Sequence, residues 1–124
     1  MAKGEITHIE FPADDPERAK RFYAAVAGWE IGEPMDGFPN YYMFRNGEGS
    51  GGAIGKRGES TGQALRIYIT VDSLEDACAA AEANGGTVLE QPQDIGGGMG
   101  RFAVVRDTEG SEVGLWQSTG DATG

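Results

Sequence analysis

The sequence predicts an α+β fold built from two copies of a β-α-β-β-β unit, and three observations carry that expectation. The chain aligns with itself at an offset of 58: Ile9-Glu10-Phe11 faces Ile67-Tyr68-Ile69, "DDPERA" from Asp14 faces "DSLEDA" from Asp72, and "VAGWEI" from Val26 faces "NGGTVL" from Asn84. Further on the offset becomes 61, and "FRNGEGSGGAI" from Phe44 faces "VRDTEGSEVGL" from Val105, with Arg, Glu, Gly and Ser identical in register. Each copy also opens on alternating apolar and polar residues, the period of a half-buried strand, and then changes to helical spacing. One domain over 1–124 follows, with repeat units of about 5–57 and 64–118.

The elements follow in order. "ITHIEF", residues 6–11, is the first strand. Asp14 with Glu17 and Asp72 with Glu75 have the spacing in which an Asp accepts from the free N–H groups of a first helical turn, so both pairs read as helix starts. Pro16 suits that first turn, where its missing N–H costs nothing. Ala19, Phe22, Tyr23 and Val26 form an apolar stripe on the first helix; Leu74, Ala77, Cys78 and Ala81 form one on the second. Asn84-Gly85-Gly86 stops the second helix, and Cys78 reads as a packed core thiol. Three short strands follow each helix: Trp29–Glu33, Asn40–Arg45 and Gly51–Lys56, then Thr87–Gln91, Arg101–Arg106 and Glu112–Gln117. The segment 55–63 reads as the linker between copies, and the small, polar tail 118–124 as frayed.

Composition narrows the partners. Ten basic against twenty acidic residues give a net charge of −10, which opposes binding to nucleic-acid phosphates or anionic lipid. No apolar run approaches the roughly 20 residues that span a bilayer, and the opening "MAKGEITHIE" lacks an apolar leader segment, so neither a membrane nor export is expected. One cysteine rules out an internal disulfide and fits a cytoplasmic location.

The segments "HIEFPADDPERAKRFYAAVAGWEI", "YITVDSLEDACAAAEANGGTVLEQP" and "GRFAVVRDTEGSEVGLWQ" resemble the vicinal oxygen chelate superfamily of glyoxalase, bleomycin-resistance and extradiol-dioxygenase proteins, and among them the small branch related to lactoylglutathione lyase. The resemblance runs from Ile6 to Gln117. It implies a mixed sheet curled into a cup, helices outside, a homodimer, and a cup that holds either a divalent metal or an organic ligand. The metal positions that it implies, one on each first strand and one on each last strand, read His8, Ala53, Arg66 and Gly114. Ala and Gly carry no donor and Arg is a permanent cation, so no resident metal and no other cofactor is expected.

Alternation places the remaining candidates. With Ile9 and Phe11 facing the helix, His8 and Glu10 face the cup; with Ile67, Ile69 and Val71 facing the second helix, Arg66, Tyr68 and Thr70 do so. Glu112, Gly114 and Trp116 share that face. Arg66, Tyr68, Glu112 and Trp116 are the ligand-binding candidates: a cation for an anionic group, and two rings as walls beside Gly114, whose missing side chain would leave room for a flat ligand. His8 and Glu10 are the catalytic candidates. Glu10 or Glu112 would form an ion pair with Arg66; a displaced metal site of His8, Glu10 and Glu112 is the sharper alternative. Tyr41 and Met43, with Met99, read as a flexible apolar rim, Trp29 as a seal at the hydrophobic edge, and 96–100 as a mobile loop, because that glycine run leads into a strand rather than a helix N-terminus. The function expected is metal-free binding or sequestration of a small molecule in the cup. A lyase or isomerase using cup-face acid and base groups is the alternative, and an interaction domain with a vestigial cup the third reading.

Overall fold

The computed structural model describes residues 3–34, 36–47 and 50–119; the tail from Gly120 lies outside the described residues. The elements run β1 (Ile6–Ala13), α1 (Pro16–Ala27), β2 (Glu30–Ile31), β3 (Tyr41–Gly47), β4 (Ser50–Lys56), β5 (Arg66–Thr70), α2 (Leu74–Ala83), β6 (Thr87–Asp94), β7 (Arg101–Arg106) and β8 (Glu112–Gln117). This is an α+β chain with β-α-β-β-β given twice. Two compact units divide it: a first of Thr7–Ile67, and a second formed by Met1–Ile6 with Tyr68–Gly124. The lead joins the second unit through Gly4 N–H to Thr70 O at 2.8 Å and Thr70 N–H to Glu5 O at 2.9 Å.

In the first unit the strand order is β2-β3-β4-β1, with β1 parallel to β4 and the other pairs antiparallel. The second repeats this as β6-β7-β8-β5, with β5 parallel to β8. Both helices begin one residue later than the Asp-x-x-Glu spacing suggests. Asp15 accepts from Arg18 N–H at 3.1 Å, and Ser73 from Asp76 N–H at 3.1 Å. Pro16 explains the first shift, since it fits the first helical position only if the residue before it is the cap. The displaced acids are used elsewhere: Arg57 Nε donates to Asp14 Oδ1 at 2.9 Å, and Arg101 to Glu75 at 2.6 Å. Gly28, at φ 73°, ends α1 in the left-handed conformation that glycine adopts without strain.

The two cores differ in kind. Under α1, Ala13, Phe44 and Ile54 are buried with Phe11, Ala19, Tyr23, Trp29 and Ile31 packed against them. Trp29 does more than seal an edge: it stacks on Phe44 at 4.1 Å between centroids and on Tyr23 at 5.1 Å. The stripe on α1 is narrower than its sequence implies, because Phe22 and Val26 are 57% and 68% exposed while Ala19 and Tyr23 turn inward. Under α2 the core is aliphatic: Leu74, Cys78, Ala103, Val105 and Leu115, joined by Ile69, Val71, Ala77, Ala81, Val88 and Val113. Burial pushes the Cys78 thiol up, with the charges of Glu75 and Glu82 adding to the effect, as a packed core thiol requires. At the edge of the second unit's strands β6 runs through Pro92 to Asp94, three residues beyond its expected end, with two breaks in its register against β7. An edge strand tolerates a proline because its outward N–H has no partner to lose.

Candidate functional site

The face of the first unit's strands turned away from α1 carries the site. Register sets its rows: Glu10 lies beside Ala53 and Ala53 beside Met43, while Pro12 lies beside Gly55 and Gly55 beside Tyr41. On β4 this face therefore bears Ala53 and Gly55, which leave open the space between β1 and β3. Tyr41 fills it. A Cβ on Gly55 would come within 3.1 Å of Tyr41 Cδ1 and 2.6 Å of Thr61 Cγ2, so the missing side chain is what admits the ring. The Tyr41 hydroxyl ends 2.7 Å from Glu10 Oε2, to which it donates, and 2.8 Å from His8 Nε2.

Glu10 is only 7% exposed. A carboxyl group withdrawn from water is costly unless hydrogen bonds compensate, and the phenol supplies one at the length of a charge-assisted O–H···O⁻ bond. Burial pushes the His8 imidazole down to about 4, which keeps it neutral near pH 7. The site thus joins a neutral imidazole, a phenol and a carboxyl group in one hydrogen-bonded chain. Sequence reasoning placed His8 and Glu10 on this face but assigned Tyr41 to an apolar rim. The missed signal was the alternation of β3 opposite Ala53 and Gly55: with two small residues between, a tyrosine can reach across strands spaced about 4.8 Å apart.

The Arg66 guanidinium lies against the 57–63 turn, where a Cβ on Gly62 would sit 2.7 Å from Nη2. In the second unit, Tyr68 pairs with Gly114, and its ring covers that glycine so closely that an added Cβ would fall 2.7 Å from Tyr68 Cγ. Gly114 therefore leaves no gap for a flat ligand; Tyr68, 8% exposed, occupies it. Glu112 lies opposite Arg106 on β7, with its carboxylate 3.6 Å from the guanidinium. Trp116 Nε1 donates to Met99 O at 2.9 Å and Thr119 Oγ1 to Gly98 O at 3.2 Å, so hydrogen bonds fasten the 96–100 loop to β8 and the segment after it. A groove of about 230 Å³ between α2 and β6, lined by Glu75, Cys78, Ala79, Glu82, Val88, Gln91 and Pro92, contains none of these candidates.

The residues present do not fit a divalent metal. Ala53 and Gly114 offer no donor, Arg66 offers a positive charge, and His8 Nε2 is engaged by Tyr41. Among the described residues no three His, Cys, Asp or Glu side chains are gathered into a metal-holding group. Nor is any helix among them long and apolar enough to cross a membrane.

Comparison with known proteins bears on the whole chain. It is 32% identical over 114 residues to a glyoxylase-like domain-containing protein of Didymella fabae, covering 87% of this chain and 89% of that one. It is 28% identical over 129 residues to a probable lactoylglutathione lyase of Vibrio parahaemolyticus, covering 95% and 94%. The crystal structure of a glyoxalase/bleomycin resistance protein/dioxygenase superfamily member from Vibrio splendidus shares the fold at a TM-score of 0.68 and 12% identity, over 89% of this chain and 96% of the other. The family model for the same superfamily matches residues 5–115, and the chain belongs to the Glyoxalase/Bleomycin resistance protein/Dioxygenase superfamily.

Proposed function

We propose that this protein binds a small organic molecule without a metal ion, on the face of the first unit where His8, Tyr41 and Glu10 meet. One observation carries the reading: the chain of hydrogen bonds that engages His8 Nε2 and holds a carboxyl group out of water beside it. Such a set can recognise a polar group of a ligand and orient it. Arg66 is the proposed charge contact of that unit; on the second unit Trp116 is proposed as an apolar ligand-binding wall and Glu112 as a polar one, while Tyr68 serves by filling the space over Gly114.

A second reading is favoured by the same hydrogen bonds and by the lyase among the relatives: a lyase or isomerase in which His8 and Glu10 move a proton. If the cup is instead vestigial, the chain is an interaction domain. Thermal-shift screening of a metabolite library, with elemental analysis of protein purified without chelators, separates these. Binding predicts a hit that raises the melting point, no stoichiometric transition metal, and at least tenfold weaker affinity in Arg66→Ala. A ligand that reaches Trp116 should quench its fluorescence, while Trp29, stacked inside the aromatic core, stays constant. The enzyme reading predicts that Glu10→Gln binds the hit normally and turns it over about 10²- to 10⁴-fold more slowly. No hit, with Arg66→Ala indistinguishable from wild type, leaves the interaction domain. One equivalent of zinc, nickel, iron or manganese, lost in His8→Ala, overturns the metal-free reading.

The proposal includes a cytoplasmic homodimer, supported by the apolar ridge of Phe22 and Val26 that α1 leaves exposed. A monomeric mass at micromolar concentration in analytical ultracentrifugation rejects the dimer.

A further inference from the structure

The Tyr41 hydroxyl has one proton and lies within hydrogen-bond distance of both Glu10 Oε2 and His8 Nε2. Because that proton is donated to Glu10 Oε2, the 2.8 Å contact with His8 is a hydrogen bond only if His8 Nε2 carries a proton and donates it to the phenol oxygen. The other ring nitrogen, Nδ1, is then the basic one. The chain has a single direction: imidazole to phenol to carboxylate.

We propose that Tyr41 is a positioning residue that holds His8 as its Nε2–H tautomer and links that imidazole to Glu10 as a proton path. This inference rests on reading His8, Tyr41 and Glu10 as the site. The path balances without an external acid. When Nδ1 takes a proton from a ligand, the ligand–H bond breaks and Nδ1–H forms; the Nε2 proton passes to the Tyr41 oxygen; and the original Tyr41 proton passes to the Glu10 carboxylate. Imidazole and phenol end neutral, with the histidine tautomer reversed, and the proton rests on Glu10. An imidazolium, which a buried site disfavours, is never required. The ligand class that suits this path carries a weakly acidic proton, as a hydroxyl, thiol or C–H next to a carbonyl does. Without Tyr41, His8 and Glu10 lose the bridge between them, which is the reason to assign the phenol a function beyond filling the space over Gly55.

The chain has one histidine, so its imidazole nitrogens can be observed alone. Long-range ¹H–¹⁵N spectra of the ligand-free protein near pH 7 should show Nε2 protonated and Nδ1 unprotonated. In Tyr41→Phe the separation between the two nitrogen shifts should collapse toward that of a tautomer mixture. Glu10→Gln, which removes the carboxylate that orients the phenol proton, should collapse it in part. A wild-type spectrum with the proton on Nδ1 overturns the inference, as does a wild-type pattern that persists in a folded Tyr41→Phe. If Tyr41→Phe does not fold, the wild-type and Glu10→Gln spectra decide: separation unchanged in Glu10→Gln then overturns it. None of these spectra needs a ligand, so an unsuccessful ligand screen and a failure of this inference are separate results.

Discussion

The two units solve the same packing problem with opposite strands. In each, a glycine on the last strand lies beneath a tyrosine ring. In the first unit the ring comes from the antiparallel neighbour, Tyr41 of β3 over Gly55; in the second it comes from the parallel neighbour, Tyr68 of β5 over Gly114. By repeat position Tyr68 stands where the first unit has Glu10, and Phe102 where it has Tyr41. One copy thus has a phenol aimed at an acid and an imidazole, and the other a phenol that shields a backbone. A duplicated scaffold can divide its labour by changing which strand supplies the ring, and in the first unit that ring meets an acid and an imidazole.

Four measurements break or sharpen this contrast, starting with the largest expected effect. Leu74→Ala empties a fully buried position in the aliphatic core and should cost about 2–5 kcal/mol in urea unfolding. A smaller loss would mean that the second unit relaxes around the cavity. Next is acid. The unfolded chain protonates His8 near pH 6.5, whereas the folded chain resists until about 4. The contribution of neutral His8 is therefore present above pH 6.5 and is lost as pH falls through that window, by up to about 3 kcal/mol. Stability at pH 7 and pH 4.5 in wild type and His8→Gln checks it; equal losses in both proteins would remove His8 as the cause. Gly114→Ala drives a Cβ into the Tyr68 ring and should cost about 1–3 kcal/mol. Gly55→Ala should cost less, since its contacts are with the Tyr41 ring edge and the side chains of Ser60 and Thr61; the reverse order would mean that Tyr68 yields more easily than Tyr41. Last is Arg101→Gln, which removes an ion pair to an exposed Glu75 and should leave the urea midpoint almost unchanged.

Much of this was legible in the residues. Alternation assigned the faces of β1, β5 and β8, because a strand has period two whatever packs on it. It also put His8 and Glu10 side by side. The helix starts were read one residue early, since Asp14 and Asp15 are equally good caps in isolation and only the turn that Pro16 requires separates them. Partner choice was less legible. Alternation gives the face of Glu112 but not its place opposite Arg106 in the β7–β8 hairpin; that register depends on the geometry of the Asp107–Ser111 turn, where Ser111 N–H donates to Asp107 Oδ1. Gly114 was read as space because a sequence does not say which neighbouring ring will fill it.

The outer strands β2 and β6 have a bearing on how the protein behaves at high concentration. β2 offers two residues for pairing, and β6, though eight residues long, is interrupted by Pro92, by two register breaks and by the acidic Glu90 and Asp94. An incoming strand finds at either margin no long run of unpaired backbone groups to copy, and at β6 it meets like charge from any second copy of this acidic chain. Cross-strand recruitment, the first step toward fibrils and strand-swapped aggregates, is thereby suppressed without any cost to the core. Self-association that does occur should then use side chains rather than extend a sheet, and should leave the amide hydrogen exchange of β6 unchanged.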